Sequence, residues 1–174
     1  MKKVAFYGGG SDKSKCPFNE EVWTLNKEFR TAKRMDKLFF FDHDIFAVFP
    51  DITLREINNL NIPIVTYDYL AEGIKLVEIY PIKEIIKFIQ APFLVNTLAL
   101  MFAYAAYLGY EEISLYGCSM GSGHEHYVFQ RSGIEYMIGF CRGRGIKVIL
   151  SNREFLQKPI VYCYNPELSR SPYG

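Results

Sequence analysis

The sequence lacks the features that would place it in a membrane, on nucleic acid or around a metal ion. No apolar run approaches the ~18–20 residues that span a bilayer, and the apolar start of the chain is too short for a signal peptide. The 20 Lys and Arg residues nearly balance the 19 Asp and Glu residues, which gives no general attraction to nucleic acid. The four cysteines show neither a CxxC pair nor zinc-ligand spacing. We therefore predict a cytoplasmic protein with reduced thiols, and with no nucleic acid, membrane, metal or other cofactor as a partner.

Hydrophobic residues make up 49% of the chain and aromatic residues 16%, which is typical of a folded domain and not of a disordered one. Short apolar runs alternate along the chain with segments of helical period. Strands are predicted over 3–7, 21–25, 37–41, 62–67, 113–116 and 146–150, with a further short strand at 160–164, and helices over 27–35, 53–60, 82–89, 96–108 and 129–144. This alternation predicts one α/β domain over residues 1–174, a Rossmann-like three-layer fold with a mostly parallel sheet.

Polar or glycine-rich residues follow four of the predicted strands, at the edge where open α/β sheets bind their ligands. They are Gly8, Gly9, Gly10, Ser11 and Asp12 after the first strand, Asn26 after the second, Asp42 after the third, and the segment 117–127 after the fifth. Glycines at such a position allow positive φ angles and expose backbone N–H groups to an anion. The run is neither a complete GxGxxG fingerprint nor a P-loop. A tight turn needed only for packing is therefore the alternative to nucleotide contact.

The densest polar cluster contains two histidines and leads into the last predicted helix. His124 or His126 is a candidate general base, because a neutral imidazole titrates near neutral pH. Metal binding, or plain contact with ligand or solvent, is the alternative. Gln130 and Arg131 open the helix, with Glu135 one turn further on. Arg131 either holds a phosphate in a bidentate contact that Glu135 orients, or forms an ordinary surface ion pair with Glu135.

Four segments together carry a family resemblance: MKKVAFYGGGSDK at the start, TLN ending at Asn26, KLFFFD ending at Asp42, and NTLALMFAYAAYLGYEEISLYGCSM from Asn96. They resemble the core of bacterial CMP-sialic-acid-dependent sialyltransferases and the related pterin pyrophosphokinase-like domains. The resemblance implies that the glycine loop and Asn26 contact a nucleotide and that Asp42 lies near a sugar. It implies that Asn96 and Thr97 begin the helix that holds the cytidine monophosphate. It also matches Tyr127 to a tyrosine that contacts phosphate.

A wider pattern covers nearly the whole chain, with EVWTLN at 21–26, LGYEEISLYG at 108–117, YVFQRSGIEY at 127–136 and RGRGI at 142–146. This pattern resembles a family of small bacteriophage proteins. The segment that forms a lid and supplies the base histidine in the sialyltransferases has no counterpart here, because Tyr127 runs almost directly into the last helix. Ser119 also stands where those enzymes commonly have an acidic residue. The resemblance therefore carries over the nucleotide cradle and not the transferase chemistry.

We predict from these observations a protein that binds a nucleotide or nucleotide-derived small molecule at the strand ends. The resemblance implies a phage protein that sequesters a host nucleotide signal, as an anti-defence function, in the host cytoplasm. A small glycosyl- or nucleotidyl-transferase with a nucleotide-sugar donor is the alternative, and His124 and His126 are its candidate catalytic residues. The aromatic-rich segments 67–80 and 160–165 hold more apolar surface than one core covers, so we also predict a homo-oligomer.

Overall fold

The computed structural model describes residues 1–42, 48–90, 93–118, 120, 125–152 and 156, and for residues 125–127 it describes the backbone alone. Within these ranges the strands are β1 (Lys3–Tyr7), β2 (Glu21–Leu25), β3 (Lys37–Phe39), β4 (Ile64–Thr66), β5 (Val77–Ile79), β6 (Glu112–Tyr116) and β7 (Lys147–Leu150). The helices are α1 (Leu54–Asn58), α2 (Ile82–Ile89), α3 (Thr97–Tyr107) and α4 (Glu125–Gly143). Short 3₁₀ helices lie at Ser11–Lys15, Asn26–Arg30 and Asp68–Leu70.

The strands form one sheet in the order β5-β4-β3-β2-β1-β6-β7, and each neighbouring pair is parallel. In the register of the central strands, Phe6 on β1 aligns with Trp23 on β2 and with Leu115 on β6. The chain runs outward from β1 to β5 and then returns to place β6 on the other side of β1. This confirms the predicted Rossmann-like α/β fold. The reversal of strand order beside β1 is the place where such sheets bind ligands.

Alternating side chains of the sheet pack against different layers. Val4 and Phe6 of β1 belong to the largest core, which α2, α3 and α4 cover. Ala5 and Tyr7 point to the opposite face. On that second face the cores are smaller and are completed by residues from short elements, among them Cys16, Phe29 and Ile57. Helix α3 is buried along almost its whole length, in keeping with its uninterrupted apolar sequence.

Side chains cap two of the helices. The Thr53 hydroxyl accepts a hydrogen bond from the backbone N–H of Glu56 over 3.2 Å at the start of α1. The Asn96 side-chain oxygen accepts one from the N–H of Ala99 over 2.9 Å at the start of α3. Each cap satisfies a donor that has no partner within its helix. The cap at Asn96 fixes the point where α3 begins, and that point matters for the site below.

The predicted helix over 27–35 is wrong. The structure has only a 3₁₀ helix at Asn26–Arg30, because the chain turns sharply as it leaves β2. Asn26 has a φ of 50°, a left-handed conformation that asparagine tolerates better than most residues. Phe29 is then buried in a core on the second face. Arg30 binds Glu56 through its Nε atom over 2.7 Å and also pairs with Asp51.

Strand β5 was not predicted from the sequence. This strand has three residues and lies at the edge of the sheet. Val77 and Ile79 are 39% and 44% exposed, so they lack the buried pattern that identified the other strands. The predicted strand at 160–164 lies outside the described residues. Of the helices in the described part of the chain, none has the length and apolar character needed to cross a bilayer.

Candidate functional site

A cavity of about 840 Å³ opens at the carboxyl ends of the central strands. The loops after β1, β2, β3 and β6 meet the start of α3 there. The residues of the predicted site that line the cavity are Gly8, Gly9, Gly10, Asn26, Asp42, Asn96, Thr97 and Gln130. They come from segments up to about 120 residues apart in the sequence, and the parallel sheet brings them to one edge.

The glycine loop packs against the loop that follows β6. Gly8 donates its N–H to the carbonyl oxygen of Tyr116, and Gly10 donates to that of Gly117, each over 2.8 Å. A Cβ atom on Gly8 would lie 2.5 Å from the Gly117 oxygen. The expected positive φ is not found at Gly8, Gly9 or Gly10. Close approach of the two backbones, and not a left-handed conformation, is therefore what requires glycine at position 8.

Gly9 differs from its neighbours. It is exposed at the cavity, and a Cβ atom on it would meet only the flexible end of Glu28, with 2.8 Å to Oε1. Among the described residues, none accepts a hydrogen bond from its N–H group. The N–H of Gly9 is thus a donor that the glycine loop has available for a ligand in the cavity.

Two acceptor atoms at the neighbouring ends of β2 and β3 are buried without a partner. They are Oδ1 of Asn26 and Oδ2 of Asp42, and neither receives a hydrogen bond from the described part of the chain. Burial raises the pKa of the Asp42 carboxyl. Buried polar atoms without partners are uncommon in folded proteins and carry a desolvation cost. Since both residues line the cavity, a bound ligand is the natural source of their missing donors.

The start of α3 also borders the cavity. Asn96, Thr97 and Leu98 line it, and the amide of Asn96 donates to the side-chain oxygen of Gln130 over 3.2 Å. The first N–H groups of a helix have no acceptor within the helix, and the helix dipole makes this end attractive to anions. This side of the cavity therefore suits a phosphate.

Ser11 and Asp12 do not line the cavity. They lie in the 3₁₀ helix after the glycine loop, where Asp12 is buried and accepts a hydrogen bond from the hydroxyl of Ser151. Ser151 follows β7, so the contact ties this loop to the edge of the sheet beyond β6. The Ser151 contact holds Asp12 in this loop through Oδ2, and Oδ1 of Asp12 is buried without a hydrogen-bond partner among the described residues.

Arg131 also lies outside the cavity lining. It donates from a guanidinium nitrogen to the carbonyl oxygen of Met120 over 3.3 Å, and Met120 lines the cavity with a φ of 53°. Arg131 thereby acts on the cavity through the backbone of Met120. Glu135 is half-buried one turn further along α4. Ser119 and His124 lie outside the described residues, and so do the side chains of His126 and Tyr127.

Several lining residues were not singled out by sequence. They are Leu25, Lys27, Glu28, Val48, Phe49, Val95, Leu98, Gly117, Cys118 and Met120. Gly117, Cys118 and Met120 fall in the segment 117–127 that the sequence placed at the rim, but no motif distinguishes them. Cys118 is fully enclosed, and burial raises the pKa of its thiol far above the usual range. It therefore contributes shape to the cavity and is not a reactive thiolate.

The fold is similar to that of solved sialyltransferases. A structure of the sialyltransferase CstII from Campylobacter jejuni with the substrate analogue cytidine-5'-monophosphate is 19% identical, with a TM-score of 0.58 over 90% of this chain and 84% of that one. A structure of CST-II with a trisaccharide acceptor and CMP is 18% identical, with a TM-score of 0.59 over 90% and 85%. At these identities the similarity shows the fold. No protein-family model and no curated protein matches the chain.

Proposed function

We propose that the protein binds a nucleotide or a nucleotide-derived small molecule in this cavity. The observation that carries the proposal is the convergence of the ends of β1, β2 and β3 with the start of α3 around one space of about 840 Å³. This volume lies in the upper part of the ~300–1,000 Å³ range of small-molecule sites. The CMP in solved structures of similar fold supports the same class of ligand.

The two sides of the cavity differ in the groups they offer, and this difference orients the ligand. The start of α3 offers helix N–H donors, which suit a phosphate group, and the N–H of Gly9 on the loop after β1 is a further donor. Asn26 and Asp42 offer buried acceptors, which suit hydroxyl groups of a ribose or a sugar. A nucleotide carries both kinds of group within one molecule, so it can satisfy both sides at once.

The role we propose for this binding is sequestration of the intact nucleotide. The resemblance to small bacteriophage proteins suggests that the ligand is a nucleotide signal of the host and that the protein acts in anti-defence. Sequestration requires a tight complex and no chemical step. The lid segment that supplies the base histidine of the sialyltransferases has no counterpart in this sequence. This favours sequestration of the ligand over its chemical turnover.

Transfer of a sugar from a nucleotide-sugar donor is the second candidate. The volume of the cavity favours it, because about 840 Å³ holds more than a nucleoside monophosphate alone. General-base catalysis contributes ~10²–10⁴-fold to a rate, so a transferase of this kind depends on one residue that removes the acceptor's proton. His124 and His126 are the candidates that the sequence offers.

Mass spectrometry of the ligand that co-purifies with the protein separates the two functions. We expect a nucleotide-derived molecule that is released by heating and is chemically intact. We expect His124→Ala and His126→Ala to change affinity at most. A purified protein that carries no ligand and binds no nucleotide would contradict the proposal. Consumption of a nucleotide-sugar that stops in either histidine variant would favour the transferase.

A further inference from the structure

We propose that the Asp42 side of the cavity selects a ligand group that donates hydrogen bonds and carries no negative charge, such as the hydroxyl face of a neutral sugar, and excludes a carboxylated sugar. This inference rests on the proposed nucleotide binding and names which glycosyl group the site accepts. It departs from the sugar class of the sialyltransferases, because sialic acid carries a carboxylate.

The positions of the two acceptors are the first support. Asn26 directly follows β2, and Asp42 lies three residues beyond the end of β3. These strands are hydrogen-bonded neighbours, with Leu25 aligned to Phe39, and neighbouring strands lie about 4.8 Å apart. Each residue presents one buried oxygen without a donor from the described residues. Two buried acceptors therefore lie beyond the ends of adjacent strands and suit a ligand group that donates hydrogen bonds.

The charge around Asp42 is the second support. Burial raises the pKa of the Asp42 carboxyl, and no cation of the described residues lowers it. Lys27 lines the cavity but is exposed. Lys13 is already paired with Glu28 over 3.0 Å. A ligand carboxylate beside Asp42 would therefore face a second carboxylate, and juxtaposed like charges oppose binding.

The chemistry of the side chain is the third support. An ionised carboxylate only accepts hydrogen bonds, whereas an asparagine amide both accepts and donates. An asparagine at position 42 would offer a donor to a ligand carboxylate, and Asp42 offers none. The Asp42 carboxylate therefore binds hydroxyl groups and repels a ligand carboxylate. Changing Asp42 to asparagine removes the negative charge and keeps the size of the side chain.

Calorimetric titration of two probe pairs tests the inference. The first pair is CMP and CMP-N-acetylneuraminate, which differ by a carboxylated sugar. The second is UDP-glucose and UDP-glucuronate, which differ only by a hydroxymethyl group in place of a carboxylate. In the unaltered protein we expect the carboxylated member of each pair to bind at least about tenfold more weakly. In Asp42→Asn we expect this ratio to shrink by about tenfold.

Asp68→Asn is the matched control, because it makes the same change at an exposed position outside the cavity. We expect it to leave both ratios unchanged, and thermal melting confirms that each variant is folded. Tighter binding of CMP-N-acetylneuraminate than of CMP by the unaltered protein would overturn the inference. So would an Asp42→Asn ratio equal to that of the unaltered protein. Failure of every nucleotide to bind would instead overturn the proposed function, on which this inference rests.

Discussion

Gly10 donates its backbone N–H to the carbonyl oxygen of Gly117 over 2.8 Å, and this bond joins the loop after β1 to the loop after β6. The two backbones also approach closely at Gly8, because a Cβ atom on Gly117 would lie 2.3 Å from the carbonyl oxygen of Gly8. The two loops meet where the strand order of the sheet reverses. Part of the triple glycine is thus needed to build the cavity, and Gly9 remains exposed to it.

Substitutions in the glycine loop are expected to separate stability from binding. Gly8→Ala places a Cβ atom 2.5 Å from the Gly117 oxygen, and overpacking of this kind costs about 1–3 kcal/mol of unfolding free energy. Gly9→Val meets only the movable end of Glu28, so we expect a loss within about 1 kcal/mol. We expect the same Gly9→Val protein to bind CMP at least roughly tenfold more weakly, because the added side chain narrows the cavity. Urea denaturation and calorimetry measure the two effects, and an unchanged CMP affinity in Gly9→Val would show that this loop does not contact the ligand.

The amino end of β2 provides a test of stability that leaves the cavity intact. Glu21 accepts a hydrogen bond from Nε1 of buried Trp23 over 2.7 Å and one from the hydroxyl of Tyr110 over 2.5 Å. Glu21→Ala removes both acceptors, and hydrogen bonds to a charged group are worth about 1.5–3 kcal/mol. We expect that loss in urea denaturation, with CMP affinity unchanged because the cavity lies at the other end of the strand. Glu72→Ala, at an exposed position, is expected to stay within about 0.5 kcal/mol. Equal stability of the two variants would argue against this network.

Asp42 is expected to make the nucleotide-free protein less stable as the pH rises. Burial raises the pKa of its carboxyl in the folded state above the ordinary value of 3.8, so the folded protein holds this proton more tightly than the unfolded chain. The free energy of unfolding therefore falls as the pH rises from about 3.8 through the folded-state pKa. Asp42→Asn does not titrate, so we expect it to be the more stable protein at pH 7, by on the order of 1 kcal/mol. The advantage should be smaller at pH 4, and a difference that is the same at both pH values would contradict the account of Asp42.

Much of this arrangement follows from sequence, and the reasons are physical. The apolar runs that became β1, β2 and β6 are buried on both faces, so their pattern was plain, and the residues that follow buried parallel strands reach one edge. Asn26 and Asp42 could be placed at the cavity for that reason, whereas Asn96 was placed there by the family resemblance. The edge strand β5 could not be predicted from the sequence, because its side chains Val77 and Ile79 are exposed and lack the buried pattern.

Other features depend on contacts between distant segments. Glycine is required at position 8 because of the close approach of Gly117, which is more than 100 residues away in the sequence. The residues around Gly8 do not indicate this contact. The helix predicted after β2 failed because Asn26 adopts a left-handed conformation and Arg30 is drawn to Glu56. Asp12 resembled a ligand contact because it follows a glycine loop, and only the fold shows that it reaches Ser151.

Self-association stays a prediction, and the β5 edge, which pairs only with β4 among the described strands, is the surface that supports it. Leu76, Val77 and Ile79 are 49%, 39% and 44% exposed, and edge strands with exposed apolar residues readily pair with other chains. We expect a homo-oligomer, most simply a dimer, in light scattering at micromolar concentration. We expect Val77→Lys to shift it toward the monomer, since charged residues protect edge strands. A mass near the 20.2 kDa of one chain for the unaltered protein would contradict this prediction.

Calorimetric titration of CMP into the unaltered protein, with Gly9→Val and Glu21→Ala alongside, tests nucleotide binding most directly. We predict saturable binding with one CMP per chain. We predict that Glu21→Ala retains this affinity and that Gly9→Val loses at least about tenfold of it. UMP, AMP and GMP are titrated in the same way, so that a preference for another base is detected. Absence of heat of binding for all four nucleotides, in a protein freed of co-purified ligand by unfolding and refolding, would contradict the claim that this cavity binds nucleotides.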